Sequence, residues 1–346
     1  MHTFITILFI LCAGIVNGQT LGGSSVYNFL KFPNTPQLSA LGSINISNQS
    51  PDIGLVFNNP ALLRPAMHAQ LNLVFNSMYA GIRNYHFSTG LRMEKIETNL
   101  GFGVHYFHYG NITQTDASGN IYGNFRPFDY VVQASANRSY GKNWHYGISM
   151  KFIRSNYGEY RSSGIAIDAG LTYSDSSNLL QAAMVLKNMG SQLTAYNGTE
   201  AEDLPFDIQL GISKRLKNAP LQFSLTAHHL HRFDIRYHDS AFNNENGFGL
   251  NNGKKFTIDK IFRHLIFATQ LYLGDKVEIS AAYNHLRRNE LNIGNSGNGL
   301  NGFSLGAGVL FKKIQLRYAR SYYQNNAAYN QLGINLRLNE YFGFGR

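Results

Sequence analysis

The sequence predicts an all-β fold, a transmembrane antiparallel β-barrel of about 14 strands closed around a short N-terminal plug or hatch segment. Three observations carry the prediction. Apolar and polar residues alternate with period two from about residue 69 to the end, as they do when a strand shows one face to each side of a sheet. The polar face is built of Gly, Ser, Asn, Gln and Thr, where a sheet open to bulk water would carry many Lys and Glu. The long connections follow odd-numbered strands and short ones follow even-numbered strands, the asymmetry of a barrel with one external and one periplasmic end.

Strands are expected at 69–79, 83–92, 98–109, 127–139, 144–155, 164–174, 178–188, 206–216, 219–231, 261–274, 275–286, 301–311, 312–322 and 327–338. In the first, Leu71, Leu73, Phe75 and Tyr79 oppose Gln70, Asn72 and Asn76. In the twelfth, Phe303, Leu305, Ala307, Val309 and Phe311 oppose Gly302, Ser304, Gly306 and Gly308. In the last, Leu332, Ile334, Leu336 and Leu338 oppose Gln331, Gly333, Asn335 and Arg337. An even count is what single-chain bacterial barrels require. Long connections fall at 110–126, 189–205, 232–260 and 287–300, against short ones at 140–143, 217–218 and 274–275. The long set is therefore expected outside, with the N-terminus periplasmic.

Ahead of the barrel, Phe4 to Val16 is an almost unbroken apolar run, and Val16-Asn17-Gly18 then Gln19 offers small residues for cleavage. The run falls short of the about 20 residues that cross a bilayer. It matches the core of a signal peptide over residues 1–18, although no Lys or Arg precedes it; the alternative is a buried N-terminal strand. Cys12 is the only cysteine and would leave with this leader, so the mature chain would hold no thiol. Leu11 stands where a lipoprotein signal needs a small residue. No later apolar run approaches a spanning helix, so membrane residence requires a barrel, and the expected location is the bacterial outer membrane.

Composition agrees. The chain has 34 Gly, 21 Tyr and 24 Phe with only 14% charged residues, which suits twisted strands with interfacial aromatic girdles. Its net charge of +10 favours anionic headgroups or acidic partners, and export argues against nucleic acid. Residues 19–68 alternate poorly and carry Pro33, Pro36, Pro51, Pro60 and Pro65. They are expected to plug or line the lumen with little regular structure, and 69–346 to form the barrel.

The densest chemical cluster is His228, His229 and His231, followed by Asp234, His238 and Asp239. On a strand His229 and His231 would share a face, which makes a metal site conceivable, but no fixed tetrahedral spacing is present. The reading adopted is that these residues cap a strand at headgroup level, so no metal and no cofactor is assigned. Asp52, Asp116, Asp129 and Asp168 are scattered, and no G-x-S-x-G, P-loop or H-E-x-x-H is present, so no enzymatic activity is expected. Arg287 and Arg288 flank one long loop, and Lys254, Lys255, Lys260 and Arg263 lie near the end of another. Lys254, Lys255, Arg287 and Arg288 are the candidate contacts to an anionic lipopolysaccharide surface; the plainer reading is a solvated loop.

Asn59-Pro60-Ala61, preceded by Ala40-Leu41-Gly42 and Asp52, resembles the plug region of FadL-like outer-membrane proteins. That group's fold is a fourteen-stranded barrel with an N-terminal hatch. Within it the sequence resembles more closely the PorQ family of the type IX secretion system, through residues 22–30, 59–63, Lys187-Asn188-Met189-Gly190 and 220–230. The resemblance extends over nearly the whole mature chain, in order.

It implies a non-enzymatic barrel that anchors a surface partner of a cargo-attachment complex through its external loops. The implied partners are a sortase-like protease, a second FadL-like barrel and a lipopolysaccharide-recognising surface protein, besides outer-membrane lipid. The alternative is a FadL-like transporter of hydrophobic small molecules; a more distant one is a hydrolase on the barrel rim. An apolar cavity ending at Asn59–Leu63 would favour transport, and a filled lumen beneath a loop platform would favour anchoring. The chain ends Phe344-Gly345-Arg346, where many barrels end on an aromatic residue, which places the expected assembly signal at Leu338 or Phe344.

Overall fold

The computed structural model describes residues 25–343 apart from 49, 197, 199, 236–256, 275, 292–298 and 325–326. The expected leader and Phe344 lie outside the described residues.

Fourteen strands close into one antiparallel barrel. They are β1 (Gln70–Ser77), β2 (Arg83–Met93), β3 (Thr98–His108), β6 (Phe128–Tyr140), β7 (Trp144–Tyr157), β8 (Tyr160–Asp175), β9 (Leu180–Thr194), β10 (Asp207–Arg215), β11 (Leu221–Ala227), β12 (Leu265–Leu273), β13 (Val277–Asn284), β14 (Phe303–Leu310), β15 (Ile314–Gln324) and β16 (Ala327–Arg337). Each pairs with its neighbour in sequence, and β1 closes on β16 from Gln70↔Arg337 to Ser77↔Asn330. Closure leaves no open edge, the condition for strands to cross a bilayer. β4 (Ile112–Thr115) and β5 (Ile121–Phe125) form a separate hairpin in the connection between β3 and β6.

The faces are inverted relative to a water-soluble sheet. Gln70, Asn72 and Asn76 of β1 point inward and are buried, while Leu73 and Phe75 point outward at 42% and 46% exposure. On β14, Ser304 is buried and Phe303, Leu305 and Val309 face out. The outward face is thus a lipid-facing apolar band. At the long-loop end, Phe75, Tyr85, Tyr106 and Phe128 form a chain of rings with successive centroids 5.6, 6.3 and 6.1 Å apart. At the other end Trp144 lies 5.0 Å from Tyr173. These aromatics stand where headgroups meet hydrocarbon.

Several boundaries differ from expectation for local reasons. β7 and β8 run on to the pair Tyr157↔Tyr160 because Gly158, at φ 78°, makes a tight turn where a longer connection was expected. β9 extends to Thr194, past a bulge at Asn188 (φ 55°) that breaks the alternation after Lys187. β12 begins at Leu265 because 258–263 is a short helix, and β13 ends at Asn284, which caps another helix over 285–290. Helix and strand share apolar residues here, and period alone does not separate such short runs.

Residues 25–68 lie inside the barrel as helix α1 (Pro36–Ala40) and a series of 3₁₀ turns. Leu41, Ile46, Ile53, Leu55 and Leu62 are all 0% exposed. The path begins at the long-loop end, where the Val26 N–H donates to the Asp203 carbonyl at 3.0 Å. It leaves at the short-turn end, where His68 Nδ1 accepts the Arg92 N–H at 3.0 Å. The N-terminus itself, expected to be periplasmic, lies outside the described residues. β1 does start at the short-turn end, but the first described residues sit at the opposite mouth, because the chain runs through the lumen before entering the wall.

Candidate functional site

The luminal segment is seated by groups that its own sequence supplies. Asn59 Oδ1 accepts the Ala61 N–H at 2.9 Å, and Asn59 Nδ2 donates to the Ile46 carbonyl at 2.7 Å. One side chain thus closes the Asn59-Pro60-Ala61 turn and ties it to a second pass of the segment. Beneath the turn the wall carries the cross-strand pair Gly147↔Gly170. A Cβ on Gly147 would fall 2.5 Å from the Pro60 carbonyl group, and one on Gly170 would strike Asn59 Oδ1, so both glycines serve close approach.

The Lys187-Asn188-Met189-Gly190 stretch meets this turn from the wall. Lys187 Nζ donates to Asn58 Oδ1 at 2.8 Å. Asn188, in the bulge, donates its N–H to Asp168 Oδ1 at 2.8 Å and its side-chain amide to the Pro205 carbonyl at 2.9 Å. Lys151 pairs with Asp168 at 2.6 Å, both buried. On the other wall Arg317 joins Asp52 at 2.9 Å and Glu278 at 2.6 Å.

The four aspartates noted in the sequence are thus apart. Asp52 and Asp168 hold cations, Asp116 caps the β4–β5 hairpin through the Ser118 and Asn120 N–H groups, and Asp129 accepts from Tyr109 and Tyr157.

Above the seated segment, at the long-loop mouth, lies a cavity of about 230 Å³. Leu30, Phe32, Leu38, Ile44 and Phe57 of the segment form its apolar part, and Leu286 and Leu291 lean over it from the loop. Phe57 and Asn58 also line it. Lys31, Lys187, Asp207, Arg287 and Glu290 bring charge to its lining, with Lys187, Asp207 and Arg287 buried. The protein packed around the mouth lowers the Lys31 pKa and raises that of Glu290, although both side chains stay exposed. Beside the cavity, Tyr27, Tyr109, Tyr157 and Tyr196 line a second, wider hollow with Phe29 and Phe32. No sequence signal connects these tyrosines, because strand order alone brings them together.

Arg287 does not reach an external anionic surface. It is 7% exposed and turned into the lumen, where its guanidinium donates to the Gly42 carbonyl at 3.0 Å, to Ser43 and to Tyr323. The reason is Asn284, whose Oδ1 accepts the Arg287 N–H and starts a helix that points this residue inward. Arg288 is half-buried and binds the Gly299 and Asn301 carbonyls within its own loop. Lys254 and Lys255 lie outside the described residues, as do His238 and Asp239. Lys260 is buried against Asp234 at 2.9 Å, and Arg263 pairs with Asp259 at 2.7 Å.

The histidine cluster gains a partner that sequence reading missed. β11 ends at Ala227, and the chain after it brings His229 and His231 to Asp207 at the head of β10. Asp207 Oδ1 lies 3.6 Å from His229 Nδ1 and 4.0 Å from His231 Nδ1. Burial outweighs the Asp207 charge and lowers both imidazole pKa values. His228 is not among these three grouped donors but lines the same cavity as His229.

No protein-family model matches the chain, and no curated protein matches it. Solved structures do. The TodX monoaromatic hydrocarbon channel, as its deltaS2 mutant, superposes with a TM-score of 0.52 at 11% identity, covering 89% of this chain and 98% of the channel. A FadL homologue of Pseudomonas aeruginosa gives 0.45 at 10% identity over 87% of this chain and 97% of its own. At this identity the likeness is one of fold alone, a closed antiparallel β-barrel.

Proposed function

We propose that the protein is a non-enzymatic outer-membrane barrel, exported by a cleaved leader, that takes up small hydrophobic or amphipathic molecules through its long-loop mouth. The observation that carries this reading is the mouth cavity, whose lining joins apolar side chains of the luminal segment to a few charged groups. Sites for small molecules combine a mostly apolar lining with a few placed polar groups. Phe57 and Asn58, next in sequence to the Asn59–Leu63 turn, are among its lining residues. The hydrocarbon channel of the same fold supports the choice of ligand class.

The test is binding of a fluorescent aromatic hydrocarbon to the detergent-purified protein, together with uptake by cells. Leu286→Trp and Ile44→Trp, which fill the cavity, are expected to weaken binding and slow uptake while the barrel stays folded. Absence of binding together with wild-type uptake in a deletion strain sinks the reading.

A second reading rests on a different observation, the filling of the lumen below the cavity by residues 41–67. A barrel so filled can serve as an anchor. In this reading the external loops hold a lipopolysaccharide-recognising surface protein of a type IX attachment complex, beside a sortase-like protease and a second FadL-like barrel. The resemblance of 22–30, 59–63, 187–190 and 220–230 to the PorQ family supports it. Deletion of the gene and fractionation of the cells distinguishes the two. Release of the surface partner and of cargo into the medium favours anchoring, and loss of hydrocarbon uptake with cargo still attached favours transport.

A further inference from the structure

Asp207, His229 and His231 offer ligand atoms that all lie within 4.8 Å of one another. The Asp207 Oδ1 distances of 3.6 and 4.0 Å to the two Nδ1 atoms are too long for hydrogen bonds. They approach the roughly 3.3 Å that separates two ligands of one tetrahedral ion with bonds near 2.0–2.1 Å. His231 Nδ1 is buried without a hydrogen-bond partner. An unsatisfied buried nitrogen of this kind calls for an explanation, and an ion is one.

The backbone is arranged around the same point. His229 is held at φ 55°, a left-handed conformation that a non-glycine residue keeps only under constraint. Its N–H donates to Asp207 Oδ1 at 2.6 Å, and Gln209 Nε2 donates to Asp207 Oδ2 at 2.7 Å. The two bonds, one on each carboxylate oxygen, fix its orientation in the way outer-shell partners orient metal ligands. Phe206 covers His231 edge-on, with ring centroids 5.2 Å apart.

We infer that Asp207, His229 and His231 form a site for a divalent transition ion of the Zn²⁺ class at the long-loop mouth. Three protein ligands leave the fourth position open, and Asp207 and His229 both line the mouth cavity, so that position faces it. An ion there ties the head of β10 to the connection that follows β11, and presents a Lewis acid to an anionic group entering the cavity. The inference does not depend on whether the barrel serves uptake or anchoring.

The test uses the full chain purified in detergent and stripped with chelator, titrated with Zn²⁺ and, separately, with Co²⁺ as a spectroscopic probe. One Zn²⁺ per chain and the visible absorption of four-coordinate Co²⁺ are expected. His231→Ala should abolish both. Asp207→Asn, which keeps an acceptor for the His229 N–H, should also abolish them while the barrel still migrates as a folded species on an unheated gel. Gln209→Ala should weaken binding by about 10- to 100-fold, the usual effect of losing an outer-shell partner. His285→Ala, on a different loop, should change nothing. A wild-type chain that takes up no stoichiometric Zn²⁺, or a folded His231→Ala chain that binds like wild type, overturns the inference.

Discussion

Arg317 on β15 holds Asp52 of the luminal segment at 2.9 Å, across 265 positions of sequence, with neither side chain more than 5% exposed. Glu278 on β13 takes the other side of the same guanidinium at 2.6 Å. One cation therefore joins two wall strands to the chain inside them. Arg317→Ala would leave two buried carboxylates facing each other without a cation. Removing one partner of a buried pair costs about 3–5 kcal/mol. Thermal unfolding in detergent, read as the temperature at which the gel mobility of the folded barrel is lost, should fall markedly. Asp52→Asn should have a smaller effect, because Glu278 still neutralises the arginine.

Gly147 is the place where the Asn59-Pro60-Ala61 turn touches the wall. Gly147→Val puts side-chain atoms where the Pro60 carbonyl stands, an overpacking of about 1–3 kcal/mol. The turn should lift away while the barrel remains closed. A single cysteine introduced at Ala61, which is 3% exposed, should then react with a maleimide that leaves the parent chain unlabelled.

Val132 lies within β6 on the outward face at 43% exposure, with Gln133 beside it turned inward and buried. Val132→Arg should destabilise the barrel in bilayers by about 2–4 kcal/mol if the residue meets the hydrocarbon midplane. Reversible unfolding from liposomes measures this. An unchanged free energy would mean that the outward face does not meet lipid at this depth.

Asp259 links the two short helices at the mouth, accepting from Arg263 at 2.7 Å and His285 at 2.9 Å. Burial tends to raise its pKa, but the His285 and Arg263 contacts prevail and lower it. A carboxyl with a depressed folded pKa adds stability above its ordinary value, near 3.9, and that stability is lost as pH falls through the folded value. Protease cutting in the 228–264 connection should therefore rise as the pH drops below about 4. Asp259→Asn should show the faster cutting already at neutral pH.

The barrel was legible because alternation is local: Leu73 and Phe75 declare an apolar face against Asn72 and Asn76 without reference to anything distant. The Asn59-Pro60-Ala61 turn was legible as a motif, yet its seat on Gly147 and Gly170 was not, since a strand glycine reads equally as a bend. Arg287 was misplaced for a related reason. In sequence it opens a loop, and only the cap at Asn284 turns it into the lumen. Asp207 escaped notice because it stands 22 residues before His229, and only the pairing of β10 with β11 brings the two together.

The passage of residues 25–68 from the outer mouth to the base of β1 has a kinetic consequence. With Gln70 already bonded into the β1–β16 seam, the segment cannot be placed by sliding the finished wall over it. Its outward end would have to be threaded the whole length of a closed ring. Assembly with the thread in place while the seam is open avoids that passage, and the last strand pairing then encloses it. Withdrawal meets the same obstacle in reverse, so the interior is guarded by a barrier as well as by its equilibrium contacts.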